Sequence, residues 1–169
     1  FSLTLANAPV TEPAGPSQTP RQPEALDVLV VDDNPVARDV LATIAQSQGW
    51  QVATAASGPQ ALDLVAARAA RGQAPFQAVF IDWEMPGMDG WETLARLRQI
   101  MAGGPLPTLV MVTRHDRNAL ALRTEAEQAS LQAYLIKPFT PSVLVQAVTQ
   151  ARLGCGNLRA HSRPTAPAT

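Results

Sequence analysis

Lysine is almost missing from this chain of 169 residues: twelve of its 13 basic residues are arginine, and Lys137 is the exception. Cysteine is equally scarce. Cys155 stands alone, which excludes an intramolecular disulfide framework and a cysteine-rich zinc site, and fits a reducing compartment. Surplus charge is missing too, since 13 basic against 14 acidic residues leave a net charge of −1. Nucleic-acid binding draws on a basic excess or patch, so none is expected. No apolar run approaches the roughly 18–20 residues of a membrane span, so direct membrane contact is not expected. The chain opens at Phe1 without a basic leader region or an initiator methionine. We therefore expect no signal peptide, and an excerpt of a longer protein. There is no internal repeat and no heptad pattern.

What is present in quantity is alanine, at 29 positions, and apolar periodicity concentrated in residues 26–153. Residues 6–24 hold five prolines and no aromatic residue, too little apolar surface to offset ordering entropy, so residues 1–25 read as a linker. Residues 154–169 read as a tail of the same kind. About 128 residues remain, an ordinary size for one domain.

Within that core, short apolar runs alternate with helical patterns. Strands are expected at 26–31, 50–55, 76–81, 107–112 and 131–136. Asn34-Pro35, Ser57-Gly58-Pro59 and Thr140-Pro141 each supply a cap and a first-turn proline. Helices should follow, the first burying Val36, Val40, Leu41 and Ile44, the last Val143, Leu144, Ala147, Val148 and Ala151. Leu94, Leu97 and Met101 mark a third helix, and residues 116–130 a fourth with a less regular face. The sum is (βα)5: a parallel sheet covered on both faces, hence a doubly wound three-layer sandwich.

Ligands of such folds bind beyond the carboxyl ends of the strands. Asp32-Asp33 end the first strand here, Asp82 the third, Thr113 the fourth and Lys137 the fifth. Clustered carboxylates repel unless a hard cation relieves them, and oxygen ligands suit Mg²⁺ or Mn²⁺. A carboxylate nucleophile with a metal, an ammonium and a hydroxyl describes phosphoryl transfer onto an aspartate. Each residue alone has a plainer reading. Asp32-Asp33 could complement a helix dipole, Thr113 cap a strand, Lys137 be a solvated strand end, and residues 85–90 form only a turn with Asp89 as a cap. Their joint occurrence at successive strand ends favours the site.

These segments, VLVVDDNP (28–35), VFIDWEMPGMDGWE (79–92), MVT (111–113) and YLIKPF (134–139), make residues 26–153 resemble the response-regulator receiver domain family. The resemblance implies a flavodoxin-like strand order 2-1-3-4-5 and a domain that phosphorylates and dephosphorylates itself. It implies Asp82 as phosphoacceptor and as one of the metal ligands, and Asp33 as a direct Mg²⁺ ligand, with Asp32 acting through water. The Glu84 backbone carbonyl would join the metal shell. Thr113 and Lys137 would engage the phosphoryl group, and Tyr134 would switch with Thr113 to signal through the surface of the fourth helix, fifth strand and fifth helix. A cis Lys137-Pro138 bond is implied as well.

Arg114 departs from the family's small residue after the hydroxyl position; it could screen the phosphoryl group, contact the acidic site or point outwards. Glu84 and His115 take positions that flank the phosphoryl group. Trp83 is a candidate partner contact, whereas Trp91 should pack against the third helix. The expected partners are a phosphohistidine donor domain of a histidine kinase and a histidine phosphotransfer domain, in the cytoplasm, with an inner-membrane anchor of the parent chain left open. Residues 1–5 resemble the last strand of a kinase ATP-binding domain, which favours the attached receiver of a hybrid sensor kinase. The alternatives are a stand-alone response regulator, a flavodoxin-like cofactor module, which the acidic first loop disfavours, and a degenerate receiver that only binds partners.

Overall fold

A computed structural model of the protein describes residues 25–114 and 131–153. The two flanking segments, Cys155, His115 and the helix expected at 116–130 lie outside the described residues. The described elements are β1 (Asp27–Val31), α1 (Pro35–Ser47), β2 (Gln51–Ala55), α2 (Gly58–Ala70), β3 (Ala78–Asp82), α3 (Gly90–Ile100), β4 (Thr108–Thr113), β5 (Ala133–Ile136) and α4 (Pro141–Arg152). The strands form one parallel sheet in the order β2-β1-β3-β4-β5. That is the expected doubly wound architecture.

Helix starts fall where the caps place them. Asn34 Oδ1 accepts the amides of Val36 and Ala37 at 3.0 and 3.3 Å, and Asp89 Oδ1 accepts that of Glu92 at 2.8 Å. Ser57 and Thr140 act likewise for α2 and α4. These bonds satisfy amides that the first helical turn leaves without a partner.

Strand residues alternate between two apolar layers, as a period of two requires. Val28, Val30, Phe80, Val110, Val112 and Leu135 face Leu41 and Ala45 of α1 and Leu144 and Val148 of α4. Leu29, Val31, Val79, Ile81, Leu109 and Met111 face Ala61 and Val65 of α2 and Leu94 and Leu97 of α3. Two expectations need correction. Val36 and Val40 are not core residues: they are 70% and 54% exposed, because α1 turns Leu41 and Ala45 inward, and one residue is about 100° of helix rotation. Trp83, proposed as a surface contact, is buried with its ring edge-on to Trp91, 5.6 Å between centroids. Trp91 packs as expected.

Gly90, where α3 begins, shows how closely helix and sheet approach. A Cβ there would lie 2.3 Å from the Asp82 carbonyl oxygen and 3.0 Å from Met111 Sδ. Backbone cannot move aside as a flexible side chain can, so Gly90→Ala should destabilise the fold by about 1–3 kcal/mol, the usual range for overpacking. Gly104→Ala, where the nearest atom is 3.8 Å away, should be close to neutral. Urea unfolding of the two variants against the parent protein checks the contrast.

Candidate functional site

The carboxyl ends of β1, β3, β4 and β5 bring the acidic, hydroxyl and ammonium side chains to one edge of the sheet. β3 lies between β1 and β4, so Asp82 sits at the centre with Asp32 on one side and Thr113 on the other. β5 follows β4, and the Lys137 amide donates to the Thr113 carbonyl at 2.8 Å. The Lys137-Pro138 bond is cis, as expected.

Lys137 Nζ donates to Asp32 Oδ2 and to Asp82 Oδ1, both at 2.8 Å. The other oxygen of each carboxylate is held by the backbone: the Asn34 amide donates to Asp32 Oδ1 at 2.9 Å, and the Glu84 amide to Asp82 Oδ2 at 3.2 Å. Asp32 and Asp82 are buried, and Asp33 is exposed. One oxygen from each of Asp32, Asp33 and Asp82 lies within 4.8 Å of the others, a grouping able to hold a hard cation. Beside it opens a cavity of about 170 Å³ lined by Asp33, Asn34, Asp82, Trp83, Glu84, Thr113 and Arg114.

Burial pushes the Asp82 carboxyl above its ordinary 3.8, and the charge of Asp32 adds to the rise, against the pull of Lys137 and the Glu84 amide. Burial alone would lower the Lys137 ammonium. Its hydrogen bonds and charge pairing with Asp32 and Asp82 outweigh that and lift it above 10.5. A site with three convergent carboxylates and a single embedded ammonium is short of positive charge. That shortage, on oxygen donors alone, suits a divalent cation.

Of the residues singled out by sequence, Asp32, Asp33, Asp82, Glu84, Thr113, Arg114 and Lys137 come together here. Tyr134 does not join them. It is half-buried, registered with Met111 on the sheet face covered by α2 and α3. Two residues were missed. Asn34, read only as a helix cap, also lines the cavity, and Arg38 Nη1 donates to the Asp32 carbonyl at 2.8 Å, pinning the acidic loop to the first turn of α1. An arginine one turn after a strand-end acidic pair was the available signal.

Residues 28–149 match the family model for the response regulator receiver domain, and the chain belongs to that family. Such domains are the receivers of two-component signalling: they take phosphoryl groups from histidine-kinase donors and bind Mg²⁺ at an acidic pocket. The chain is similar to the positive alginate biosynthesis regulatory protein of Pseudomonas aeruginosa, 36% identical over 129 residues, covering 75% of this chain and 47% of that protein. It is also similar to the sensor histidine kinase GacS of Pseudomonas protegens, 34% identical over 145 residues, covering 81% of this chain and 15% of that one. It thus spans about half of the first relative and a small part of the second. Among solved structures it resembles the receiver domain of the histidine kinase CKI1 from Arabidopsis thaliana complexed with Mg²⁺ and BeF₃⁻, with a TM-score of 0.61 and 29% identity, covering 76% of this chain and 90% of that one. No helix among the described residues is long and apolar enough to cross a membrane.

The raised Asp82 carboxyl carries a prediction for the metal-free protein. A carboxyl whose folded pKa exceeds its unfolded value disfavours folding once ionised; below pH 3.8 it is protonated in both states and the penalty disappears. In chelator, Asp82→Asn should therefore melt higher than the parent protein at pH 7, the gap closing as pH falls through the Asp82 pKa towards 3.8. Melting curves against pH measure it.

Proposed function

We propose that this domain accepts a phosphoryl group on Asp82 from a phosphohistidine, with Asp32, Asp33, Asp82 and the Glu84 carbonyl as the protein's contribution to a Mg²⁺ site. The observation that supports this best is Asp82 itself, buried at the head of the central strand, touching Lys137 and lining an open cavity. One carboxylate oxygen of Asp82 attacks phosphorus. The phosphorus–nitrogen bond breaks, its electron pair stays on the donor's imidazole, and an acyl phosphate forms on Asp82. When bound, Mg²⁺ supplies positive charge to the phosphoryl oxygens. Lys137 supplies a second positive charge from below, and Thr113, at the cavity, offers its hydroxyl to the transferred group. Arg38 and the Asn34 amide keep the Asp32-Asp33 loop in place while this happens.

Switching follows from the same placement. Movement of Thr113 towards a phosphoryl group changes the end of β4, and Tyr134 on the neighbouring strand fills the space released. The coupled element biases the surface around β5 between two states.

For the whole protein we read a receiver attached to a hybrid sensor kinase, with residues 1–25 as the linker, 26–153 as the receiver and 154–169 as a tail. Supporting this, the alignment with the sensor kinase covers more of this chain than that with the alginate regulator does. A histidine phosphotransfer domain is the fitting onward partner, and the cytoplasm the fitting compartment.

Incubation with Mg²⁺ and acetyl phosphate, followed by intact mass measurement, tests the assignment. The parent protein should gain one phosphoryl group and Asp82→Asn none. Lys137→Arg, which keeps the charge but displaces the ammonium, should label about 100-fold more slowly, the scale of one lost oxyanion donor. Undiminished labelling of Asp82→Asn would move the acceptor elsewhere.

A further inference from the structure

The edge of the sheet opposite the acidic site is also hollowed. A groove of about 600 Å³ runs beneath the amino ends of β1, β3, β4 and β5, from Asp27 past Gln77 to Gln132. Pro75, Phe76 and Leu106 give it an apolar wall. Leu106 is one of the few large apolar side chains exposed among the described residues, and Ile100, in an adjoining cavity that shares Pro75 and Phe76, is another. Neighbouring strands lie about 4.8 Å apart, so the groove crosses roughly 14 Å of sheet.

The groove offers hydrogen-bond donors as well. Gln77 Oε1 accepts the Asp27 amide at 3.1 Å, and Gln132 Oε1 the Leu109 amide at 2.8 Å, so each side chain is held by its oxygen. Their NH₂ groups have no acceptor among the described residues. Proline and aromatic side chains beside unpaired amide donors suit a polyproline II segment, which forms no internal hydrogen bonds and so keeps its carbonyls available.

The chain carries such a segment at the mouth of the groove. β1 begins at Asp27, and shortly before it stand Pro20-Arg21-Gln22-Pro23. Prolines three positions apart share one edge of a polyproline II helix, and about five residues at about 3.1 Å each span roughly 15 Å, the length of the groove. We propose that residues 20–24 dock in this groove, with Pro20 and Pro23 against the apolar wall and their backbone carbonyls accepting hydrogen bonds from Gln77 and Gln132. Attachment at Asp27 makes the docking intramolecular, at an effective concentration on the order of millimolar, and proline fixes φ beforehand, so little entropy is lost. The tail also holds two prolines three apart, Pro164 and Pro167. They stand further from Leu153 than Pro23 does from Asp27, and the longer loop costs more to close. The docked segment fixes the direction in which the chain meets the domain, at the edge remote from Asp82. The proposal is independent of the phosphoacceptor reading.

Trypsin acting on the full chain provides the test, since Arg21 is the sole basic residue before Asp27 and lies within the docked segment. Leu106→Asp puts a charge on the groove wall at an exposed position. It should speed cleavage after Arg21 about tenfold, the scale of one apolar side chain's burial, while cleavage after Arg159 and within residues 26–153 keeps its rate. In nitrogen-15 NMR spectra of the full chain, Pro20→Ala/Pro23→Ala should shift the side-chain NH₂ signals of Gln77 and Gln132. Equal cleavage after Arg21 in the parent protein and Leu106→Asp, or unmoved glutamine signals, overturns the proposal. It is likewise overturned if Leu106→Asp speeds cleavage after Arg159 instead, which gives the groove to the tail, or if protection of Arg21 fades on dilution, which gives it to a second copy. Neither readout involves phosphorylation, so a parent protein that takes no label from acetyl phosphate removes the Asp82 reading and leaves this one standing.

Discussion

The contact on which the site depends is that of one ammonium with two carboxylates. Lys137 stands 105 residues from Asp32 and 55 from Asp82, yet reaches both at 2.8 Å. It links the ends of β1, β3 and β5 across β4, which none of the strand-to-strand hydrogen bonds does. Both carboxylates are buried, and buried charges persist only when paired and hydrogen-bonded. The backbone completes the pairing through the Asn34 and Glu84 amides. The same contacts that let these acids exist inside the protein also hold their oxygens within 4.8 Å of one of Asp33's.

The surrounding fold serves that arrangement by rigidity. Gly90 brings α3 against the Asp82 carbonyl and donates its amide to the Trp83 carbonyl at 3.0 Å, while the Trp83 amide donates to Val112 at 2.8 Å. The segment after Asp82 is therefore fastened on both sides, and Trp83 and Trp91 fill the space beneath it edge to face. Beyond this fixed floor the character changes. Asp33, Glu84 and Arg114 are exposed, bounding the cavity where a cation and a phosphoryl donor must enter. Floor residues are constrained by burial and pairing and determine what can be done. Rim residues lie exposed at the mouth of the cavity.

How far this could be read from sequence follows from the same division. Caps, strand runs and strand-end acids are local signals, and the helices began within a residue of where Asn34, Ser57, Asp89 and Thr140 placed them. The site was legible because a parallel sheet sends every strand's carboxyl end to one edge, so the residue after each apolar run is a site residue whatever its distance along the chain. Orientation was not legible in the same way. Val36 and Val40 fit an apolar stripe, but which of two adjacent stripes faces the sheet depends on the neighbour, and Leu41 and Ala45 took that place. Trp83 beside an acidic loop looked exposed, because nothing local announces that Trp91, eight positions on, folds back to bury it. Arg38 escaped notice because its partner is a backbone carbonyl, so that its place one turn after the acidic pair was the one signal it left.

Arginine and lysine are used here for different work. Arg68 spreads over the Phe76 ring, 4.4 Å from its centroid, while pairing with Asp27; Arg96 pairs along α3 with Glu92; Arg38 reaches a carbonyl. Each of these uses breadth, several donors or a flat apolar face. Between Asp32 and Asp82 breadth is a fault: two carboxylates share one donor atom, and a planar fork would spread its charge over the space that a cation and a phosphoryl group must occupy. A compact ammonium on a slender stem concentrates the charge at one point and leaves the cavity open. A chain that otherwise uses arginine throughout carries lysine at the position where the shape of the charge, and not only its sign, decides whether the site can work.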